Sequence, residues 1–509
     1  MKKWKVILEK YKTYTNYFVL AIMAINAALT VHLFIRQGVA SKLALAVTLL
    51  VEVLFEAGLV AIYYRLKKQG AEIHKFFLWF YIPIGMLFII FLPHQQTPDS
   101  YAHLTRAYEV SNGVLVAQPA EDGVNGATLP VEIRHFIERE ENYQYELTSL
   151  GTTLSGETYL EQEQYPSASG YMFLLYLPHV IGIWIGRLLG LPVYFILMCA
   201  RICSMLMFGI MAYFAIKLAP RFKMFLMFLA TMPMTLQQTT AFTADAITFG
   251  VAFLLVGYAL YLIYGDVKKL TRKHLAGIYG LAAAMALCKV VYLPLMGLFA
   301  LIPWKKFGSK KVKWLNGILA IMIGLALELI WMKVQATSQG TIAITDQFTF
   351  ILQHPLRYVM YMFGTMADYL STFYIASTFG MSLGAWKFDL PNVYFYLAMA
   401  MAAIVFVRGT EHFNVKKSVR LMSWVIFATV TVGFMTAMFT QWTKPGLNYV
   451  DGVQGRYFIP ILTLMPLMFS SSKERQDEKT SLPFQYPLLF NMGFCVIAVA
   501  TIVAVNLAR

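Results

Sequence analysis

The feature that most constrains this chain is a series of apolar runs too long for the core of a soluble domain. Residues 15–35 (TNYFVLAIMAINAALTVHLFI) and 485–507 contain no Lys, Arg, Asp or Glu. About twenty such residues cross a hydrocarbon core of roughly 30 Å as one helix. Charged residues make up only 14% of the chain, against roughly 25% in soluble domains. The sequence therefore predicts an all-α polytopic membrane protein.

Basic residues mark one side of the membrane. Most of the Lys and Arg, 28 of 42, lie in seven short segments: 2–12, 65–75, 217–223, 268–273, 305–313, 408–420 and 473–479. The positive-inside rule predicts that these segments are cytoplasmic. The charge pattern then predicts eleven full spans near 15–35, 41–64, 75–93, 194–218, 222–240, 244–264, 314–334, 393–408, 421–441, 457–471 and 485–507. The N-terminus is cytoplasmic and the C-terminus lies outside.

Two further apolar segments do not fit the pattern of a simple crossing. Residues 171–187 contain Pro178 and several glycines, which favours an interfacial or half-inserted helix on the outer face. Residues 275–303 have basic flanks at both ends and Lys289 in the middle. This pattern predicts a short re-entrant pair of helices, each half too short to span, and leaves open how far across the membrane it carries Lys289. The total is then 11 to 13 membrane segments.

The outer face carries the loops 94–193, 335–392 and 441–456. Between His94 and Gly170 there are twelve Asp or Glu against three Arg, so the net charge of +15 reflects topology and does not indicate nucleic acid as a partner. All four cysteines lie in apolar segments, so neither a disulfide framework nor a zinc site is expected. Long ordered loops often carry function.

The stretch TPDSYAHLTRAY (97–108) follows a predicted span closely. Thr97 is a good N-cap residue, Pro98 suits the first helical position, and the stretch predicts a helix over 98–111. Helical spacing puts Asp99, His103 and Arg106 within about 60° of one another, with the apolar residues on the opposite side. Asp99 would then be either a proton acceptor for a substrate hydroxyl or only a helix-end charge paired with Arg106.

An ordered set of short motifs carries a family resemblance over about residues 75–470. They are Pro98-Asp99, Ala102-His103, Arg106-Ala107-Tyr108, Ser111-Asn112-Gly113, Tyr165-Pro166, Gly186-Arg187-Leu188-Leu189-Gly190, Ala200-Arg201, Pro233-Met234, Thr243-Ala244-Asp245, Lys289, Tyr292-Leu293-Pro294, His354-Pro355, the run from Gly380 to Trp386, and the run from Gly455 to Pro460. In this order they resemble a bacterial family of predicted multipass membrane proteins labelled as a domain of unknown function. That family is similar to the GT-C class of glycosyltransferases.

The resemblance implies a division of the chain and an activity. Two extra spans (1–74) precede a GT-C-like core (75–471), which includes the outer loops 94–193 and 335–392, and 472–509 adds a cytoplasmic loop and a last span. GT-C enzymes transfer a sugar from a polyprenyl-phosphate donor on the outer side of the plasma membrane. The implied partners are this donor, a cell-envelope glycan acceptor and membrane lipids. No resident cofactor is certain, although a divalent cation would suit such a site.

Asp99 matches the aspartate that deprotonates the acceptor hydroxyl in such enzymes. The family often has an acidic residue next to that aspartate, where this chain has Ser100, so Ser100 weakens the case for a metal site with two carboxylates. His103 and Arg106 become candidate substrate contacts.

Further candidates each have a structural alternative. Arg456 and Arg201 would bind the departing phosphate, or reach to lipid headgroups. A lysine at membrane depth, as predicted for Lys289, indicates either an ion-pair partner or a functional role. Asp245 is a second candidate carboxylate or a helix-capping acid. Tyr165 and Trp386 would stack on sugar rings or belong to an interfacial aromatic belt.

Two other functions remain open on the sequence alone. A flippase or transporter for a lipid-linked envelope intermediate would need polar residues along a path through the spans, and Glu52, Glu56, Glu328 and Lys289 are the main ones. A noncatalytic assembly partner would need none of the outer-face residues for its role.

Overall fold

The computed structural model describes residues 2–94, 96–119, 125–138, 149–162, 166–336, 344–384, 387–409, 415–469 and 484–508. Its α-helices are α1 Lys2–Arg36, α2 Lys42–Lys68, α3 Ile73–Phe91, α4 Ser100–Ser111, α5 Val131–Glu138, α6 Pro166–Ser169, α7 Leu177–Leu188, α8 Val193–Leu218, α9 Lys223–Ala230, α10 Pro233–Thr240, α11 Asp245–Tyr264, α12 Arg272–Cys288, α13 Trp304–Phe307, α14 Lys310–Ala336, α15 Ile344–Gln353, α16 Pro355–Tyr369, α17 Ala376–Phe379, α18 Asn392–Gly409, α19 Lys417–Gln441, α20 Ile459–Leu462, α21 Met465–Phe469 and α22 Gln485–Ala508.

The other elements are short. The 3-10 helices are Phe173–Tyr176, Val290–Leu301 and Gly455–Phe458, and a π-helical turn covers Leu370–Ile375. Strands β1 Gln118–Pro119, β2 Asn125–Pro130 and β3 Thr158–Glu161 form an antiparallel sheet in the order β1-β2-β3, with Ala127 opposite Glu161. Strands β4 Ser382–Leu383 and β5 Phe388–Asp389 form a second antiparallel pair. Helices therefore dominate, with small sheets only in the loops between predicted spans.

Eight helices in the described part of the chain are long and apolar enough to cross a membrane. They are Tyr14–Arg36, Lys42–Lys68, Ile73–Phe91, Val193–Leu218, Asp245–Tyr264, Lys310–Gln335, Lys417–Gln441 and Gln485–Ala508. Each coincides with one of the eleven spans predicted from the sequence. The class of polytopic helical membrane protein is thereby confirmed, and the full count of eleven stays a prediction.

The other three predicted spans are shorter or interrupted. The segment 222–240 is divided into α9 and α10 by a break before Pro233, because proline cannot continue the hydrogen-bond ladder of the preceding helix. The segment 457–471 is divided among the 3-10 helix Gly455–Phe458, α20 and α21, with Pro460 and Pro466 at the starts of the latter two. The segment 393–408 lies within α18.

The hairpin around Lys289 extends along the whole of α11. At the N-terminal end of α11, Lys289 contacts Asp245, and at the C-terminal end Lys306 donates hydrogen bonds to the carbonyls of Leu262 and Ile263. Lys289 therefore reaches the same end of α11 as Asp245, and the re-entrant form of 275–303 stays a prediction. The second half is a 3-10 helix of 12 residues, and a rise of about 2.0 Å per residue gives it roughly 24 Å.

Helix α8 organises the packing around the loop 94–193. It packs against α3, α7 and α11, and the contact with α7 is close because a Cβ at Gly182 would overlap the backbone of Cys199 and Ala200. Helix α4 packs on α7 and on strand β2. This packing fixes the start of α4 next to the N-terminal end of α11.

The structure corrects the faces predicted for α4. Its residues from Ser100 to Ser111 are buried except for Tyr101, which is half-buried. The helix also begins two residues later than predicted, with Asp99 as its N-cap residue. It is therefore packed on all sides, and its exposed polar groups lie at its ends, at Asp99 and Asn112.

Candidate functional site

Asp99 has a backbone conformation that directs its side chain away from α4. Its φ of 64° lies in the left-handed region, which residues other than glycine seldom adopt and aspartate adopts more readily than most. Although Asp99 is the N-cap residue, its side chain makes no capping hydrogen bond. The carboxylate is therefore available to a partner outside its own helix.

That partner is Arg456, in the 3-10 helix Gly455–Phe458. Its Nη2 donates a hydrogen bond to Oδ2 of Asp99 over 2.8 Å, and its Nη1 donates one to Oε1 of Gln238 over 3.1 Å. Gly455 allows this geometry, because a Cβ there would overlap the side chain of Ser377 and the backbone at Tyr374. The close contact of the 3-10 helix with α17 thus sets the direction of the guanidinium.

Asp245 connects Arg456 to a second cation. It is the first residue of α11, and its Oδ1 accepts a hydrogen bond from Nζ of Lys289 over 2.7 Å. Its Oδ2 lies 3.5 Å from Nη1 of Arg456. Arg456 and Lys289 both contact the buried carboxylate of Asp245. Asp245 therefore holds these two cations close to each other.

Lys289 is held at the tip of the hairpin formed by α12 and the 3-10 helix Val290–Leu301. Its ammonium lies 5.6 Å from the ring centroid of Tyr171 and 5.6 Å from that of Tyr457. Cation–π contacts of this kind stabilise a partly desolvated ammonium. The aromatic rings and Asp245 together compensate for the charge that the hairpin carries into the interior.

The four groups form one chain of alternating charge, in the order Asp99, Arg456, Asp245 and Lys289. Buried charges are tolerated when they are paired and hydrogen-bonded, and two carboxylates here balance two cations. The side chain of Asp99 is 36% exposed, whereas that of Asp245 is 4% exposed. The network is therefore most open to solvent at Asp99, whereas the side chain of Lys289 at its other end is 17% exposed.

His103 lies beside this network as a neutral side chain. Its Nδ1 is 2.6 Å from the hydroxyl of Tyr176, and its ring also lies against that of Tyr171. Burial lowers the pKa of His103 to about 4, although the negative charges of Asp99 and Asp245 act in the opposite direction. An uncharged imidazole at pH 7 can position neighbouring groups without adding a third cation.

Two of the predicted substrate contacts are not at the site. Arg106 is fully buried and donates to the carboxylate of Glu109 and to the carbonyls of Val114 and Leu115, so neither its predicted approach to a substrate nor the alternative pairing with Asp99 is present. Arg106 instead stabilises the turn after α4, because its side chain lies on the side of the helix that faces the residues of this turn.

Arg201 is also buried and serves as an internal tie. It donates to the carbonyls of Thr240, Phe88 and Leu92, and it is only 1% exposed. Both readings from the sequence, a phosphate contact and a headgroup contact, therefore fail for Arg201. The carbonyls it contacts lie at the ends of α3 and α10, which need hydrogen-bond donors. Tyr165 and Trp386, the two candidate sugar-stacking residues, lie outside the described residues.

A cleft beside Arg456 contains polar residues that the sequence reasoning missed. This small cleft, about 20 Å³ in volume and open on one side, is lined by residues that include Pro98, Gln237, Gln238, Ser377, Gln454 and Arg456. The Oε1 of Gln237 accepts a hydrogen bond from the backbone N–H of Gly384, which ties the cleft to the start of the second sheet. The signal available in the sequence was the run LQQTT (236–240) inside an otherwise apolar predicted span.

The residues present do not suit a divalent cation. Asp99 and Asp245 already accept from Arg456 and Lys289, and the hydroxyl of Ser100 donates to the carbonyl of His94. Within the described ranges no three His, Cys, Asp or Glu side chains meet as a metal-binding group. A cation at Asp99 would have to displace an arginine that is hydrogen-bonded there.

Fold and site together define a polytopic helical membrane protein with a charged cleft built from distant loop and helix ends. A family model described as "Predicted membrane protein (DUF2142)" matches residues 82–465, about three quarters of the chain. The chain belongs to this family, which confirms the resemblance to a family of predicted membrane proteins of unknown function, and the likeness to GT-C glycosyltransferases stays a prediction. No curated protein and no solved structure matches the chain.

Proposed function

We propose that this protein is a glycosyltransferase of the GT-C type, which transfers a sugar from a polyprenyl-phosphate donor to a cell-envelope glycan. The observation that carries the proposal is the contact of Arg456 with both Asp99 and Asp245 at the edge of a polar cleft. A partly exposed carboxylate beside a fixed guanidinium supplies the two groups that this reaction needs, a proton acceptor and a cation for the leaving phosphate.

In the proposed reaction Asp99 is the general base. Its carboxylate accepts the proton of an acceptor hydroxyl, and the hydroxyl oxygen attacks the anomeric carbon of the donor sugar. The bond between that carbon and the phosphate oxygen breaks, and polyprenyl phosphate leaves with the bonding electron pair. Arg456 stabilises the growing negative charge, and its Nε has no acceptor within the described part of the chain. Lys289 and Asp245 keep the guanidinium in place.

The lining of the cleft supports a neutral, hydroxyl-rich ligand. Gln237, Gln238 and Gln454 offer amide groups and Ser377 offers a hydroxyl, and such groups can both donate to and accept from sugar hydroxyls. Four charged groups, Asp99, Arg456, Asp245 and Lys289, gather at one point apart from the acidic residues Glu52, Glu56 and Glu328 of the spans, and we take this clustering to favour an enzyme over a carrier. The distribution of Lys and Arg supports a location on the outer face of the plasma membrane.

The test is the exchange Asp99→Asn in purified protein reconstituted in vesicles. We expect release of polyprenyl phosphate from a panel of polyprenyl-phosphate sugars to fall by roughly 10² to 10⁴-fold, the usual contribution of a general base. Asp266→Asn is the matched control, because Asp266 is an exposed aspartate at the far end of α11. Full turnover by Asp99→Asn would overturn the proposal, as would translocation of the donor across vesicles without any transfer of its sugar.

A further inference from the structure

A second cavity lies between α2, α3 and α22. It is a groove of about 100 Å³ that is open on one side, and its walls include Val47, Val51, Leu87, Phe91, Val499 and Val503. Val47 and Val51 are 50% and 44% exposed, so the α2 wall faces outward, towards lipid in a membrane. Two of the three walls, α2 and α22, lie outside residues 82–465 that the family model matches.

One acidic side chain, that of Glu52, lines this apolar groove. Glu52 is 5% exposed. Its Oε2 accepts a hydrogen bond from the hydroxyl of Thr30 over 2.8 Å, whereas its Oε1 has no partner among the residues that the structure describes. Glu52 lies ten residues into α2, roughly 15 Å from its start. A carboxyl oxygen without a partner is costly at that depth, so Glu52 is the polar group of this wall that an occupant of the groove would cover.

One short segment of the chain links the groove to the cleft beside Arg456. Phe91 ends α3 and lines the groove, and Pro98 lines the cleft seven residues later. Between them, Gln96 donates a hydrogen bond to Asn506 of α22 over 3.4 Å, and Val503 of the groove lies one turn before Asn506. The two spaces therefore lie near each other, on either side of a segment in which Leu92, Gln96 and Thr97 are buried.

We propose that this groove binds the hydrocarbon chain of the polyprenyl phosphate whose head group binds beside Arg456. The inference rests on the proposed function for the head group and adds the place of the chain. The walls from Val47 to Phe55 extend about 12 Å along α2, with Thr48 and Glu52 as the polar members. The N-terminal helices α1 and α2, which precede the family match, thereby acquire a role in holding the lipid.

A variant that fills the groove tests the binding of the hydrocarbon chain separately from the binding of the head group. We expect Val51→Trp to weaken the binding of a long polyprenyl phosphate at least tenfold, while binding of a phosphate with two isoprene units stays unchanged. Leu50→Trp is the matched control, because Leu50 is 59% exposed on the same helix and does not line the groove. Val47→Trp repeats the test at a second exposed wall position if Val51→Trp folds poorly.

The outcomes distinguish this inference from the proposed function. If neither lipid phosphate binds the unchanged protein, the proposed function fails. If both lipid phosphates bind, and Val51→Trp and Val47→Trp bind them with the same affinity as Leu50→Trp, the head-group site is retained and the groove proposal is overturned. Equal weakening of the long and short phosphates would also overturn it, because the substitution would then act on the head-group site.

Chemical labelling of Glu52 gives an independent readout. A hydrophobic carbodiimide adds to a protonated carboxyl, and the O-acylisourea rearranges to a stable N-acylurea without loss of any atom. In phospholipid nanodiscs we expect labelling at Glu52 and several-fold protection by long polyprenyl phosphate. Glu52→Gln abolishes the label. Protection by added phospholipid alone, or none by polyprenyl phosphate at concentrations that bind, would overturn the assignment of this occupant.

Discussion

Arg456 donates a hydrogen bond to Asp99 over 2.8 Å, although 357 residues separate them in the chain. The guanidinium also contacts Gln238 and the carboxylate of Asp245. Three segments that are remote in sequence are therefore joined by one planar group. A guanidinium presents several donors in a fixed fork, which a single ammonium cannot reproduce. This geometry makes Arg456 the residue on which the arrangement of the site most depends.

The first prediction concerns the exchange Arg456→Lys. We expect the affinity for polyprenyl phosphate to fall at least tenfold, about 1.4 kcal/mol, because lysine offers one nitrogen where arginine contacts three side chains. Binding is measured by titration of the purified protein in detergent. Arg357→Lys is the control, since Arg357 is exposed on α16. Unchanged affinity in Arg456→Lys would contradict a role for the guanidinium in binding phosphate.

The second prediction concerns the buried pair Asp245 and Lys289. We expect Lys289→Met to lower the free energy of unfolding by roughly 3 to 5 kcal/mol, because it leaves a buried carboxylate with only one cation. Adding Asp245→Asn to Lys289→Met should recover part of that loss, which indicates coupling between the two positions. Unfolding in detergent of the single and double variants measures it. Strict additivity of the two single losses would count against the pair.

The third prediction concerns pH and His103. Because the pKa of His103 falls from 6.5 to about 4 on folding, the unfolded chain binds more protons between these values. The contribution to stability is complete above pH 6.5 and is lost as the pH falls towards 4, by up to roughly 3 kcal/mol. His103→Gln should flatten this part of the profile of unfolding midpoint against pH. An unchanged slope in the variant would assign the acid sensitivity to other groups.

The fourth prediction separates Arg201 from the site. We expect Arg201→Met to lower the free energy of unfolding by roughly 3 kcal/mol, since the buried carbonyls of Thr240 and Leu92 lose the guanidinium donor and that of Phe88 keeps only the N–H of Leu92. The affinity for polyprenyl phosphate in the fraction that folds should stay within twofold of the unchanged protein. Comparison with Arg456→Met, in which affinity falls, completes the experiment. Loss of affinity in a well-folded Arg201→Met would return Arg201 to the list of phosphate contacts.

The local sequence pattern was sufficient to identify some residues of the site, but not the others or their contacts. Asp99, Asp245, Lys289 and Arg456 were all named from the sequence because a charge beside or within an apolar run is costly without a purpose. Their pairing was not foreseen, and Arg106 and Arg201 met the same criterion but have structural partners. Charge and spacing along a chain do not show which distant carbonyl or carboxylate a side chain meets. Gln238 was missed because an amide carries no charge to mark it.

The sequence by itself determined the class of the protein, the positions of eight membrane helices and the family, because length and hydrophobicity act locally and need no partner. Tertiary structure decided which charges meet, how far the hairpin of Lys289 extends, and which arginine lies at the cleft. The physical reason is that a buried charge is stable only with its counter-charge. Helix packing brought Asp99 to Arg456 and Asp245 to Lys289.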